Sequence, residues 1–267
     1  MDGTAALPRS DTALWIAADK RPGPRRAQLF LLPHAGGGAP AYRLWPGLFP
    51  LDVEVLPVLL PGRDRRFGEP AIDRMERLLD GLAPAVAATI DRPYAVFGHS
   101  MGACIAHALA GRLQAECVPA PALLVVSGRN APSLPRATPS LHDRPDDEFM
   151  AGLRRLGGTP PEVLDNRELM DLVMPTLRAD FALANTYVPA AEPLATPILA
   201  IGGVDDPETT PAGLAAWAGC TTAATRVEIL PGGHFFTETA RPALVRLLID
   251  AIGGLGRAGQ PTVPCGA

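Results

Sequence analysis

The sequence predicts an α/β protein with a mostly parallel central sheet and helices on both of its faces. Several short runs are apolar at every position, which is typical of parallel strands buried on both sides. Segments with helical spacing of apolar residues lie between these runs. The chain has 267 residues, of which 47% are hydrophobic. That length and composition suffice for one large core with an insertion.

The predicted elements alternate along the chain. Pro84 should kink one helix, and Pro175 should interrupt another. Strands are predicted at residues 14–17, 28–32, 53–60, 94–97, 123–127, 197–202 and 226–230, and helices at 72–90, 102–113, 146–156, 167–187, 212–217 and 237–252.

The alternation breaks after residue 129. Prolines open the next stretch, and two helical patterns follow before the strands resume. About sixty residues are too many for a plain loop, so a helical lid inserted into the core is predicted, with an ordinary pair of packing helices as the alternative. The predicted organisation is a first part of the core (1–129), the lid (130–189), a second part of the core (190–252) and a flexible tail rich in Gly and Pro (253–267).

The most informative motif is Gly-His-Ser-Met-Gly at residues 98–102, between an apolar strand and an apolar helix. Gly-x-Ser-x-Gly in this context is the nucleophile elbow of the α/β-hydrolase fold. The sharp turn lifts the Ser100 hydroxyl clear of the sheet, and the N-terminus of the next helix points at it. A serine in this position could also be a helix N-cap, but the flanking elements favour a nucleophile.

A serine nucleophile needs a base, and the base needs an orienting carboxylate. In α/β-hydrolases these residues follow in the order Ser, Asp, His, each after a strand. His234 follows a strand and two glycines, which fits the base. Asp205 and Asp206 both follow the penultimate predicted strand. Asp206 is the predicted partner because it stands before a proline at the loop tip, and Asp205 remains the alternative.

The oxyanion hole of such an enzyme uses two backbone N–H groups. One should belong to Met101, directly after the nucleophile, and the other to the loop after the strand at 28–32. Ala35, between His34 and a run of glycines, is the best candidate in that loop.

Composition excludes other classes of function. A net charge of −4 provides no basic surface for nucleic acid. The four cysteines have no C-x-x-C spacing, so neither a disulfide framework nor a metal site is expected, and no cofactor is predicted. The chain shows neither a signal-peptide pattern nor a run of about eighteen apolar residues. A cytoplasmic protein that does not associate with membranes is expected.

Six stretches together resemble type II thioesterases, the free-standing enzymes that accompany modular polyketide synthases and nonribosomal peptide synthetases. They follow that family's order and spacing. Gly-x-Ser-x-Gly alone identifies only the superfamily, whereas the first and last stretches are more specific. The stretches are Leu32-Pro33-His34-Ala35-Gly36-Gly37, Leu60-Pro61-Gly62-Arg63, Val96-Phe97-Gly98-His99-Ser100-Met101-Gly102-Ala103, Arg178-Ala179-Asp180, Gly203-Val204-Asp205-Asp206-Pro207 and Pro231-Gly232-Gly233-His234-Phe235-Phe236.

The resemblance implies that Ser100, Asp206 and His234 form a catalytic triad and that Ala35 and Met101 supply the oxyanion amides. The family removes acyl groups from the phosphopantetheine thiol of carrier proteins and so clears misprimed or stalled chains. Acyl or peptidyl carrier domains are therefore the expected partners, and the enzyme is expected to be a monomer. Two other functions stay open: a small-molecule carboxylesterase or lipase-like hydrolase with the same triad, and a catalytically inactive binding protein.

A thioester on a long flexible arm must reach a buried serine, so a tunnel between lid and core is expected. Apolar lid side chains should line its acyl side, and a cluster of arginines should meet an acidic carrier surface at its mouth. A solvated basic loop is the alternative for that cluster. The lid residues are Phe149, Leu153, Leu172 and Phe181, and the arginines are Arg63, Arg65 and Arg66.

Overall fold

A parallel sheet forms the centre of the structure. The computed structural model describes residues 9–135 and 140–255, with only the backbone for residues 9–11. Its six strands within these ranges are β1 (Ala27–Leu32), β2 (Val53–Pro57), β3 (Tyr94–His99), β4 (Leu123–Ser127), β5 (Ile198–Gly203) and β6 (Thr225–Leu230). All neighbouring strands pair in parallel, in the order β2-β1-β3-β4-β5-β6. The predicted mostly parallel sheet is confirmed.

Helices connect the strands. Within the described ranges they are α1 (Arg9–Trp15), α2 (Met75–Thr89), α3 (Met101–Ala115), α4 (Asp146–Leu156), α5 (Pro161–Leu164), α6 (Arg167–Thr186), α7 (Pro211–Ala215), α8 (Phe236–Thr239) and α9 (Arg241–Gly253).

Alternate residues of one strand face two separate cores. In β1, Phe30 and Leu32 pack with apolar side chains of α2 and α3 on one face of the sheet. Leu29 and Leu31 pack with α9 on the other face. Successive side chains of a strand point to opposite faces, so a sheet covered on both sides must be apolar at every position. This explains the continuous apolar runs, and it places helices on both faces as predicted.

The segment between β4 and β5 carries α4, α5 and α6. Both predicted helices of this segment occur, and the short α5 adds a third. Helix α4 ends at Leu156 and is followed by Gly157, whose φ of 74° is the left-handed conformation common after a helix. Helix α6 runs through Pro175, so the predicted interruption is wrong; a proline removes one N–H, and side-chain packing holds the remaining turns. An apolar cluster joins the three helices through Phe149, Leu153, Leu164, Met170 and Leu177.

The division of the chain into core, lid and tail stays a prediction. Residues 136–139 of the predicted lid and residues 256–267 of the predicted tail lie outside the described residues.

The first predicted strand and the last predicted helix differ from the observed structure. The strand predicted at 14–17 is wrong: α1 runs to Trp15, and only Ile16 forms a bridge, to Val58. A strand and an apolar helix turn cannot be told apart over four residues. The last predicted helix is divided into α8 and α9, because Pro242 lacks an N–H and takes a position at the start of α9.

Among residues 9–135 and 140–255, no helix combines the length and apolar character that crossing a bilayer requires. In the same residues no three His, Cys, Asp or Glu side chains are placed to share a metal ion. Cys104 and Cys220 are buried free thiols, whereas Cys117 is disulfide-bonded. The expectation of no disulfide is thus wrong for Cys117, because pairing depends on proximity in the fold and not on sequence spacing.

Candidate active site

Ser100 is the single residue between β3 and α3. Its φ of 57° and ψ of −111° are strained for a residue with a side chain, and such strain concentrates at functional sites. A Cβ at Gly98 would collide with the Gly102 carbonyl, and a Cβ at Gly102 would collide with the Leu32 carbonyl. The elbow therefore requires both glycines, since the backbones of three elements meet there.

His234 and Asp206 lie in the loops after β6 and β5, at the same edge of the sheet as Ser100. The Nε2 atom of His234 is 3.0 Å from Ser100 Oγ. Its Nδ1 atom is 3.0 Å from each carboxylate oxygen of Asp206. Both side chains are buried, so water competes little for these hydrogen bonds. The structure brings together the three residues that the sequence singled out.

The two adjacent aspartates have different surroundings. Asp206 Oδ1 also accepts a hydrogen bond from the Glu208 N–H at 2.9 Å, which fixes the carboxylate. Asp205 is exposed to solvent, and its backbone N–H donates to Gly232 O. Of the pair, Asp206 is the one that contacts His234.

Three imidazole rings lie close together at this edge. The His99 ring is 5.2 Å from that of His234, and the His34 ring is 6.1 Å from that of His99. Burial holds the pKa of His99 well below its ordinary value. Burial, with smaller electrostatic contributions from His234 and Arg63, lowers the pKa of His34 to about 4. Near neutral pH both neighbours of His234 are therefore uncharged.

Sequence reasoning missed the importance of the His34 ring. In the sequence this residue stands out only as the neighbour of Ala35, yet its ring packs edge-on against Phe235, with the two ring centroids 5.1 Å apart. The ring also borders both cavities described below. The signal in the sequence was Gly37, where a Cβ would lie 3.0 Å from the His34 ring.

Two backbone N–H groups border the site without a protein acceptor. They belong to Ala35, in the loop after β1, and to Met101, the first residue of α3; within the described part of the chain neither donates to another group. A helix N-terminus carries partial positive charge. Both residues line the same cavity as Ser100 and His234, so the arrangement can accommodate developing negative charge beside the serine.

Two cavities meet at the edge of the sheet where Ser100 lies, beyond the C-terminal end of β3. The first, of about 180 Å³, contains Ser100 and His234 and extends beneath α4 and α6. The second, of about 340 Å³, lies between the loop after β2 and the helices α5 and α6. They share the lining residues His34, Ala35, Gly158, Thr159 and Leu177.

The four lid side chains expected to line the acyl side have different positions. Leu153 and Phe181 line the first cavity. Phe149 is fully buried behind Phe181, with ring centroids 5.4 Å apart. Leu172 is 54% exposed on the outer face of α6, so its predicted place in the cavity is wrong. Helical spacing identifies an apolar stripe, but it does not distinguish the rim of that stripe from its centre.

The three arginines expected at the mouth of the tunnel also differ in their exposure to solvent. Arg63 is buried and forms a two-pronged ion pair with Asp180. Arg66 is buried between Trp15 and the Leu59 carbonyl and pairs with Glu69. Only Arg65 is exposed. The expectation that all three meet a partner is therefore wrong for Arg63 and Arg66, whose partners are within the chain.

Comparison with known proteins agrees with this geometry. The family model "Thioesterase domain" matches residues 27–252, which include the whole sheet and all of the site residues named above. The chain belongs to the thioesterase family. It is a thioester hydrolase with the α/β-hydrolase architecture, and the resemblance to type II thioesterases is confirmed.

Individual relatives cover nearly the same stretch. Linear gramicidin dehydrogenase LgrE of Brevibacillus parabrevis is 38% identical over 238 residues, or 88% of this chain and 90% of LgrE. The type II thioesterase BorB from the borrelidin biosynthetic cluster is 35% identical, with a TM-score of 0.80 over 89% of this chain and 97% of BorB. ClbQ from the colibactin NRPS/PKS pathway is 30% identical, with a TM-score of 0.81 over 88% of this chain and 100% of ClbQ.

The names of these relatives differ in the chemistry they describe. LgrE is named as a dehydrogenase, whereas BorB and the family model are named as thioesterases. A serine hydrogen-bonded to a histidine, which is in turn hydrogen-bonded to an aspartate, is an arrangement that catalyses acyl transfer. The site geometry therefore agrees with the thioesterase names.

Proposed function

We propose that Ser100 is the nucleophile, His234 the general base and acid, and Asp206 the residue that orients His234. The observation that carries this proposal is the chain of 3.0 Å contacts from Ser100 Oγ through the imidazole to the Asp206 carboxylate. Asp206 keeps the tautomer of His234 whose Nε2 is free to accept the serine proton, and it stabilises the imidazolium that forms.

The reaction proceeds in two halves. Ser100 Oγ attacks the thioester carbonyl while His234 Nε2 takes its proton, and the carbonyl oxygen becomes an oxyanion. The C–S bond then breaks, and the thiol leaves with the proton from His234. A water molecule gives a proton to His234 and attacks the acyl-serine. Collapse of the second tetrahedral intermediate releases the carboxylic acid and returns the proton to Ser100.

The Ala35 and Met101 N–H groups are proposed to hold the oxyanion in both halves. Their value lies in being fixed before the charge develops, because fixed donors pay no reorganisation cost in the transition state.

The proposed substrates are acyl groups carried on the phosphopantetheine arm of carrier proteins, and the proposed role is editing of misprimed or stalled polyketide or nonribosomal peptide synthases. BorB is a type II thioesterase and ClbQ belongs to an NRPS/PKS pathway, which supports this assignment. The two cavities that meet at Ala35 support it physically, since a thioester needs room for an acyl chain on one side and a thiol arm on the other. Residues 130–189 are proposed to act as the lid over the acyl side.

The deciding experiment compares one acyl group on three leaving groups: a carrier protein, a short thiol and an aryl alcohol. An editing thioesterase prefers the carrier thioester, whereas a small-molecule esterase prefers the aryl ester or shows no preference. A fluorophosphonate probe, with Ser100→Ala as the control, separates both from an inactive binding protein. The proposed monomer, in which one chain supplies every site residue, is tested by light scattering during size-exclusion chromatography.

A further inference from the structure

The stretch Arg178-Ala179-Asp180 has no part in the proposed triad. Asp180 lies in α6 and is fully buried. A carboxylate is costly to bury unless it is paired and hydrogen-bonded, so its contacts indicate what the burial serves.

Asp180 joins three segments of the chain. Its two carboxylate oxygens accept hydrogen bonds from Arg63 at 2.7 and 2.6 Å, a two-pronged pair with the loop after β2. Oδ2 also accepts the Gly36 N–H at 2.7 Å. Arg63 in turn donates to the Gly37 carbonyl at 3.0 Å and to the Pro61 carbonyl. The loop after β1 is thereby held at two of its peptide groups, Ala35–Gly36 and Gly37–Gly38.

Helix α6 also contacts this loop sterically. Gly36 has a φ of 78°, and a Cβ there would lie 2.7 Å from Leu177 Cδ2. Leu177 and Asp180 are three residues apart, so they lie on the same face of α6. The same short loop therefore receives both an apolar and an ionic contact from one helix.

The loop is the one that supplies the Ala35 N–H. Of two successive amides, the Gly36 N–H is taken by Asp180, and the Ala35 N–H has no protein acceptor within the described residues. A turn closed by the Gly37 N–H and the His34 carbonyl at 2.9 Å fixes the other side of Ala35. The Ala35 N–H belongs to the His34–Ala35 peptide, which this turn holds, and Asp180 holds the peptide that follows it. The direction of the Ala35 N–H thus depends on both contacts.

We propose that Asp180 is a positioning residue: with Arg63 it holds the Ala35–Gly36 peptide so that the Ala35 N–H can donate to the oxyanion, and it couples that donor to α6. The proposal rests on the proposed hydrolysis at Ser100. Asp180 does not touch the reacting atoms, so its effect should be on the transition state and not on binding of the thioester.

Asp180→Asn tests this with little change in shape. An asparagine presents one oxygen and one NH₂ group, so it loses one contact with Arg63 in either orientation and, in one of them, the bond from Gly36 as well. Removal of one oxyanion donor costs about 10²–10³-fold in kcat, and displacement of the donor should cost about tenfold to a hundredfold, with KM for a short-thiol thioester unchanged. Asp171→Asn is the matched control, because Asp171 is an exposed aspartate of the same helix.

A second readout separates positioning from general stability. A boronic acid forms a tetrahedral adduct with the serine and places an oxygen in the oxyanion hole, whereas a thioether analogue of the substrate has no such oxygen. Asp180→Asn should lower the affinity for the boronic acid by the same factor as it lowers kcat. It should leave the affinity for the thioether unchanged. Wild-type kcat and boronic acid affinity in Asp180→Asn, or equal weakening of both ligands, would overturn the proposal.

Arg63→Lys supplies the test if Asp180→Asn does not fold. Lysine keeps the charge but cannot make the two-pronged contact, so kcat should fall about fivefold or more at unchanged KM. An unchanged kcat would overturn the proposal. A wild-type enzyme that does not hydrolyse the short-thiol thioester would instead count against the proposed function, which keeps the two failures apart.

Discussion

Asp206 contacts His234 with both of its carboxylate oxygens, each 3.0 Å from Nδ1. Asp206→Asn should therefore leave the protein folded but lower kcat by orders of magnitude, because the histidine loses the partner that fixes its tautomer; about 10⁴-fold is the scale known for a serine protease. Steady-state kinetics with a short-thiol thioester measure this. Asp205→Asn is the control and should retain nearly full activity, since Asp205 is exposed. A larger loss in Asp205→Asn would reverse the assignment.

Ser100 should be the residue that carries the acyl group. Phenylmethylsulfonyl fluoride should give one adduct, which peptide mass spectrometry should locate on Ser100, because the neighbouring His234 activates only this hydroxyl. Ser100→Ala should neither be labelled nor hydrolyse a thioester. An adduct on another residue, or activity in Ser100→Ala, would contradict the proposed nucleophile.

The first cavity should set the preferred acyl chain length. Leu153 lines it beneath α4, so Leu153→Trp should shift the preference toward shorter chains. Leu172 provides a matched control on the outer face of α6, where Leu172→Trp fills no cavity. Chain-length profiles of kcat/KM and melting temperatures should be measured for both variants. If Leu153→Trp lowers the melting temperature but keeps the wild-type profile, the cavity does not hold the acyl chain.

Local patterns predicted much of this fold. Unbroken apolar runs locate β1, β3, β4 and β5 to within a residue or two, because a strand covered on both faces is apolar at every position. The elbow was placed for a different reason, since the backbone approach at Gly98 and Gly102 tolerates no side chain. Both signals are local and can be recognised without knowledge of the remaining structure.

The errors arise where a contact joins segments that are distant in sequence, or where a local pattern is too short or too coarse to decide. Arg63 looks like a surface residue in sequence, and its partner Asp180 is 117 positions away. Leu172 belongs to an apolar stripe, but only packing decides which members of the stripe face the cavity. The short run around Trp15 resembles a strand, because four apolar residues are too few to show a helical period. A local sequence pattern spans only a short stretch of the chain, so it does not show which distant segment will contact that stretch.

Stability should decrease on the acid side of neutrality, in part through His107. Burial lowers the pKa of this histidine to about 4 in the folded protein, against about 6.5 in an unfolded chain. As pH falls through this window the unfolded state binds the proton first, so the free energy of unfolding falls with decreasing pH. Its slope against pH includes at most about 1.4 kcal/mol per pH unit from this one group.

His107→Gln should remove that part of the slope. Urea unfolding between pH 4 and 7 should give a flatter curve for the variant, whatever the variant costs in stability at pH 7 through its lost contact with the Tyr187 hydroxyl. Parallel curves for His107→Gln and the wild type would show that His107 is protonated equally in both states.

Recognition of the carrier protein should be electrostatic and weak. Arg65 is exposed in a single 3₁₀ turn, Asp64–Arg66. Asp64 and Phe67, on either side of it, border the wider cavity. An acidic carrier that docks there would add binding energy which positions the thioester and raises kcat/KM. We expect kcat/KM for an acyl-carrier protein to exceed that for the same acyl group on a short thiol. The advantage should shrink as salt rises, because exposed charges are screened over about 8 Å at physiological ionic strength.

Arg65→Ser should reduce this advantage and leave the short-thiol reaction unchanged, since Arg65 is not among the residues that line either cavity. Arg167→Ser is the matched control, because Arg167 is a highly exposed arginine at the start of α6. If kcat/KM falls only for the carrier substrate and only in Arg65→Ser, and falls less at high salt, the docking surface lies at the mouth of the second cavity. Equal efficiency of the wild type on both substrates at low salt would leave a thioesterase that recognises only the acyl group and its arm.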